Sequence, residues 1–199
     1  MKQISLSSDF SISQMVHGQM RINDWHLSPE QLLGQMKAIA NMGIDTFDNA
    51  DIYGNYTCEA LVGDALALDP SFRNSIKIIT KCGICIQSDK FPQRQIQFYD
   101  YSYDYIVGQV EKSLQNLRTD RIDLLLLHRP SYLLNPAEVA SAFDKLHADG
   151  KVLHFGVSNF YAHDFSMLQS YCNVPLITNQ IEVSPYCLEH LENGNLSYL

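Results

Sequence analysis

One pattern recurs along the chain: an apolar run of strand length stops on a polar residue, and a stretch of helical periodicity follows. Gly43-Ile44-Asp45-Thr46-Phe47 stops at Asp48, and Ile76-Lys77-Ile78-Ile79-Thr80 stops at Lys81. Asp123-Leu124-Leu125-Leu126-Leu127 stops at His128, and Val152-Leu153-His154-Phe155-Gly156-Val157 stops at Ser158-Asn159. Near-continuous apolar runs fit strands covered on both faces, the usual condition of a parallel sheet. Strand–helix alternation with short connections restricts the chain to an α/β sheet, either open and doubly wound or closed into a barrel. If the strands run parallel, the four polar stops meet at one rim.

The spacing predicts the following elements. Residues 3–6 and 10–16 form an N-terminal hairpin, and Met15 to Met20 continue as the first main strand. Ser28-Pro29-Glu30-Gln31 opens a helix, with Ser as cap, Pro in the first turn and Gln31 placed for a capping box. That helix carries Leu32, Leu33, Met36, Ile39 and Ala40 on one face and ends at Gly43, before the second strand. A second helix spans Cys58 to Leu68 and is closed by Asp69-Pro70; strand three spans Ile76 to Thr80. The irregular stretch from Cys82 to about Ser102 exceeds ordinary loop length and reads as functional or partly disordered. Helix Asp104–Leu117, strand Ile122–Leu127, a helix from Asn135-Pro136 to about Ala148, strand Val152–Val157, helix Ala162–Tyr171 and strand Leu176–Glu182 complete the alternation. The tail from Tyr186 to Leu199 shows no clear element.

Two features favour the barrel. Polar residues stand at the C-terminal ends of successive strands, where barrel proteins keep their chemistry. The first strand–helix turn, Gly18-Gln19-Met20-Arg21-Ile22-Asn23, lacks the Gly-x-Gly-x-x-Gly fingerprint of an open dinucleotide fold. The fold class read from the sequence is therefore α/β, of the (β/α)8 TIM-barrel type, incomplete, with about six strand–helix units.

At 199 residues the chain fits a single domain, residues 1–199. A net charge of −8 argues against nucleic acid or an anionic membrane as main partner. No apolar run approaches the roughly 20 residues of a membrane span. Met1-Lys2-Gln3-Ile4-Ser5-Leu6-Ser7-Ser8 lacks the apolar centre of a signal peptide. Five cysteines, an odd number, fit a reducing compartment, so a cytoplasmic location is expected.

Taken singly, each polar stop has an ordinary reading. Asp48 can close a turn, Tyr53 can pack, Lys81 can be a solvated strand end, His128 a buried histidine bonded to backbone, and Ser158-Asn159 a helix cap. Cys82-x-x-Cys85 can be a redox pair or half a zinc site, but no second pair follows, and two small apolar residues at a strand end is the default. The aromatic segment Gln97 to Tyr105 either lines a substrate pocket or packs on itself. Trp25, after the first strand at the same rim, is expected to form a substrate-pocket wall.

Taken together the stops resemble a known family. Asp48-Asn49-Ala50-Asp51-Ile52-Tyr53-Gly54, Thr80-Lys81-Cys82-Gly83, Leu127-His128-Arg129-Pro130, Phe155-Gly156-Val157-Ser158-Asn159-Phe160 and Asn179-Gln180-Ile181-Glu182 resemble, in order and spacing, the aldo-keto reductases, in their bacterial YdhF-like branch. The resemblance runs from about residue 10 onwards. It implies a (β/α)8 barrel that reduces small aldehydes and ketones with NADPH, with NADH not excluded. By resemblance Asp48, Tyr53, Lys81 and His128 fall on the catalytic tetrad, and Ser158, Asn159 and Gln180 on the positions that hold the nicotinamide carboxamide.

These residue types suit the chemistry. A phenol has an ordinary pKa of ~10 and is a reluctant acid near neutrality. A neighbouring ammonium, Lys81, stabilises the phenolate and is expected to lower that pKa; Asp48 keeps that lysine charged and fixed. His128 can donate a hydrogen bond to the carbonyl oxygen. Complete barrels of this type take ~250 residues. The resemblance therefore also implies a C-terminally truncated reductase, without the last two strand–helix units, which in the family carry the aromatic that stacks on nicotinamide and a 2′-phosphate loop. The alternative is a non-catalytic remnant or an interaction module of the same fold.

Overall fold

The computed structural model describes residues 1–198. A hairpin of β1 (Gln3–Ser5) and β2 (Ser11–Ser13) leads to β3 (His17–Gly18), a short 3-10 turn (Ile22–Trp25) and α1 (Pro29–Asn41). There follow β4 (Thr46–Asp48), an irregular turn α2 (Tyr53–Tyr56), α3 (Cys58–Ala67), α4 (Pro70–Arg73), β5 (Lys77–Cys82), and the small strands β6 (Ile84–Cys85) and β7 (Phe98–Tyr99). Then come α5 (Tyr103–Leu117), β8 (Ile122–Leu127), α6 (Pro136–Ala148), β9 (Val152–Ser158), α7 (Ala162–Tyr171), β10 (Leu176–Gln180), α8 (Glu189–Glu192) and α9 (Asn195–Tyr198).

Six of the strands form one sheet in the order β10-β9-β8-β5-β4-β3, with every neighbouring pair parallel. This is an incomplete (β/α)8 barrel with helices on its outer face. The register aligns the polar strand ends: Cys82 lies opposite Leu127, just before His128, and Gln180 lies opposite Ser158. The Sequence-derived start of α1 holds in detail: the Ser28 side chain accepts the Gln31 N–H and the Gln31 side chain accepts the Ser28 N–H. Ser102 and Asn135 cap α5 and α6 with their side chains, which accept the N–H groups of Tyr105 and Ala137, and Pro136 occupies the first turn of α6.

The apolar faces are buried in three places. Ile106, Val110, Phe143, Leu146 and Phe155 join α5 and α6 to one half of the sheet; Leu32, Met36, Phe47, Val62 and Ile78 join α1 and α3 to the other. The barrel interior holds Phe10, Ile79, Leu124 and Leu126, packed by Leu6 and Ile12 from the hairpin and by Val16 just before β3. Each such side chain contributes ~1.5–3 kcal/mol on burial. The hairpin covers the N-terminal ends of the strands, where Gln3 bonds both Asp45 and Lys77. Also at that end, Arg73 makes a buried pair with Asp123 at 2.8 Å and donates to Thr119 Oγ1 and to the carbonyls of Ile76 and Arg121.

Several expectations are corrected. The first main strand pairs only over His17–Gly18, because β3 has just β4 as a neighbour in the sheet. Asp69-Pro70 does not merely close α3: the Asp69 carboxylate caps α4 by accepting the N–H groups of Ser71 and Phe72. The stretch after Cys82 is ordered by the pairing of β6 with β7. The tail forms α8 and α9, with Leu199 outside the described residues. Among the described residues no helix is long and apolar enough to cross a membrane.

Candidate active site

The polar strand ends converge. After β4, the loop is tied to β5 by the Asn49 N–H on the Ile79 carbonyl and the Asp51 N–H on the Lys81 carbonyl. This brings Asp48 and Tyr53 onto the end of β5. Lys81 Nζ donates to both Asp48 carboxylate oxygens at 2.7 Å, to the Asn49 carbonyl at 2.9 Å and to the Tyr53 hydroxyl at 3.1 Å. The Lys81 side chain is 2% exposed and that of Asp48 11%, so this ion pair is desolvated. The His128 ring meets Tyr53 edge-on, with centroids 5.9 Å apart.

All four residues line a cavity of about 800 Å³, together with Ser158, Asn159 and Gln180. The Ser158 hydroxyl donates to the Gln180 carbonyl at 3.0 Å. Asn159 adopts a left-handed backbone, donates from Nδ2 to Ser158 Oγ and accepts the Glu182 N–H on Oδ1. Ser158-Asn159 is therefore not a helix cap; Tyr161 occupies the N-cap of α7. Ser158, Asn159 and Gln180 line one cavity and bring a hydroxyl and amides, the kinds of donor and acceptor that a carboxamide needs, so their chemistry fits a nicotinamide. His128 Nδ1 is buried without a protein partner among the described residues.

Burial sets the protonation states. Desolvation raises the Tyr53 pKa; Lys81 pulls it back and Asp48 adds to the rise, leaving the phenol above its ordinary value. This corrects the expectation that the ammonium alone would set the direction. Desolvation, with Lys81 and Arg129 adding, lowers His128 to about 3, so its imidazole is neutral near pH 7. Behind the cavity, Asp51 is pushed well above the ordinary carboxylate range by burial and by Glu59. Burial raises Glu59 too, while Thr80 Oγ1 donates to it at 2.7 Å.

Trp25 does not line this cavity; its ring lies against His17, 6.3 Å between centroids, and Asn23 and Asp24 of the same turn take that place on the wall. The sequence reading missed Asn55 and Arg129 as lining residues, although Gly54-Asn55 is a turn signal beside Tyr53. The aromatic segment divides: Gln97 and Tyr99 face the cavity, whereas Tyr101 is buried with its hydroxyl on the Arg129 carbonyl. Cys82 and Cys85 are buried free thiols whose pKa values desolvation raises, away from the reactive thiolate.

Fold and site together define a parallel α/β barrel protein with a polar constellation at the carboxyl rim of its strands. The chain matches the aldo/keto reductase family over residues 14–198, and it belongs to that family. It is 48% identical over 197 residues to the uncharacterized oxidoreductase YcsN of Bacillus subtilis, covering 99% of this chain and 66% of that protein. It is 44% identical over 187 residues to the oxidoreductase YdhF of Escherichia coli, covering 94% of this chain and 62% of that protein. The structure of a glycerol dehydrogenase from Gluconobacter oxydans superposes with a TM-score of 0.81 at 30% identity, covering 98% of this chain and 59% of that one. The chain thus spans about two thirds of the length of the curated relatives it matches.

Proposed function

We propose that the chain acts as an NADPH-dependent reductase of small polar aldehydes or ketones. The observation that carries this reading is the single lysine ammonium shared by a buried carboxylate and a phenol at the mouth of a cavity. Ser158, Asn159 and Gln180 would hold the cofactor's carboxamide, and the reduced nicotinamide would supply the hydride. Membership of the family and the relatives' oxidoreductase names support a nicotinamide cofactor. The preference for NADPH over NADH rests on the sequence resemblance.

The residues of the chain then divide the remaining work. Tyr53, with its pKa raised, stays protonated at neutral pH and is the proton donor to the carbonyl oxygen. Lys81, 3.1 Å from that hydroxyl, stabilises the phenolate left behind. Asp48 holds Lys81 in place through both carboxylate oxygens. Neutral His128 has one N–H to give, and directing it at the carbonyl oxygen orients the substrate. The polar lining residues Asn23, Asp24, Asn55, Gln97 and Arg129 fit a substrate carrying hydroxyl groups.

Carbonyl-dependent oxidation of NADPH by the purified chain, compared with Tyr53→Phe, tests the proposal. The variant should lose ~10²–10⁴ in turnover, the share of a positioned general acid, with cofactor affinity unchanged. Cofactor binding without turnover by the unaltered chain would favour a non-catalytic binding role instead.

A further inference from the structure

The backbone that delivers Tyr53 runs through an unfavourable conformation. Gly54, Asn55 and Tyr56 follow in succession with φ of 58°, 55° and 69°. Glycine is required at the first of these: a Cβ on Gly54 would lie 2.7 Å from both Cys58 Sγ and Thr57 Oγ1. Asparagine tolerates the left-handed region, but a bulky aromatic there is an outlier. Such a conformation persists only where the surroundings over-determine it.

The long stretch between β6 and β7 supplies that constraint. The Tyr56 hydroxyl accepts the Ile86 N–H at 3.0 Å and Arg94 Nη1 at 2.7 Å. The Tyr56 carbonyl accepts Lys90 Nζ at 2.6 Å, and Phe91 packs edge-on against its ring, 4.9 Å between centroids. The Arg94 guanidinium lies 3.9 Å above the Phe91 ring and 5.8 Å from that of Phe98. One planar cation therefore joins the phenol of Tyr56 to the aromatic residues of the loop, a double task that lysine performs poorly. The turn is also tied back to Tyr53: the Thr57 N–H bonds the Tyr53 carbonyl at 3.1 Å, and Thr57 Oγ1 bonds the Gly54 carbonyl at 2.6 Å. The turn and the loop both reach the same cavity, through Asn55 of the turn and Ile86 and Gln97 of the loop.

We propose that Arg94, acting through Tyr56, is a positioning residue: it locks the left-handed turn Gly54–Tyr56 and so fixes the Tyr53 phenol against Lys81. Its kinetic consequence rests on the reductase reading; its geometric consequence does not. Hydrogen exchange and steady-state kinetics of R94A, Y56F and the double variant test it together. In both single variants the amides of residues 53–57 and 84–87 should exchange at least about tenfold faster, while those of β5 and β8 keep their rates and report an intact sheet. The value of kcat should fall about tenfold or more with KM nearly unchanged, since the interaction acts on the reacting geometry. The double variant should be no worse than the poorer single one, because the two residues act as a unit. Millimolar guanidinium should restore part of the R94A turnover where equal sodium chloride does not.

Unchanged exchange at residues 53–57 in both single variants, or an effect confined to KM, overturns the proposal. If the unaltered chain reduces no carbonyl, the reductase reading falls alone, and the exchange rates still decide the clamp.

Discussion

Replacing Lys81 by methionine probes the centre of the site without requiring turnover. The substitution keeps an unbranched side chain without the ammonium and removes every contact Nζ makes: the two Asp48 carboxylate oxygens at 2.7 Å, the Asn49 carbonyl at 2.9 Å and the Tyr53 hydroxyl at 3.1 Å. Asp48, 11% exposed at its side chain, is left as a buried carboxylate facing an apolar group. Removing one partner of a buried pair costs ~3–5 kcal/mol, because the surviving charge has lost its solvent and its counter-ion. That is a large share of a typical native stability of ~5–15 kcal/mol. The pair K81M/D48N removes both charges and should cost less than the two single changes added, with a coupling on the order of 0.5–3 kcal/mol. Urea unfolding at neutral pH, followed by circular dichroism for the unaltered chain, both singles and the double, measures it. A K81M cost under ~1 kcal/mol, as for a surface pair, or strict additivity would show that the two side chains do not share a desolvated contact.

Two further outcomes follow from the same coordinates. The His128 pKa is lowered to about 3, while the unfolded value is ~6.5, so between those values the unfolded chain binds the proton and the folded one does not. This contribution to instability is absent above the unfolded pKa and grows as pH falls; H128Q should remove it and gain about 2–3 kcal/mol on the unaltered chain by pH 4.5. Urea midpoints that run parallel from pH 7 to 4.5 would sink that assignment. Arg73→Met strips the four hydrogen bonds of a guanidinium whose side chain is 7% exposed and leaves the buried Asp123 carboxylate with only the Ile78 N–H at 2.8 Å and the more distant Arg121 at 3.9 Å. It should cost ~3–5 kcal/mol in unfolding experiments, yet leave cofactor affinity unchanged at temperatures where the fold persists. The pair lies at the opposite end of the strands from the site; a large loss of affinity in the folded variant would contradict that separation.

Local chemistry made much of this architecture legible. The Ser28–Gln31 capping box marks α1 to within a residue, and the unbroken apolar run Leu124–Leu127 marks a strand covered on both faces. The polar residue after each run identified the rim, because parallel order brings all such ends to one side. What was not legible depended on tertiary contacts. The stretch Met15–Met20 does not reveal that only His17 and Gly18 find pairing partners. No residue pattern announces a left-handed tyrosine, since Tyr56 adopts it only under the hold of Arg94 and Ile86 some thirty residues away or more. The direction of the Tyr53 shift depends on burial outweighing a visible lysine, a comparison that needs coordinates. Trp25 sits in the turn expected to border the site, and only the packing of its ring on His17 shows that it turns aside.

The most direct test of the account is a titration of the purified chain with NADPH, and with NADH beside it, followed by fluorescence. Saturable one-to-one binding is predicted, weakened about tenfold or more, or ~1.4 kcal/mol, by Asn159→Ala and by Gln180→Ala while Trp25→Phe leaves it intact. Absence of binding by the unaltered chain, or binding indifferent to both amide substitutions, would contradict it.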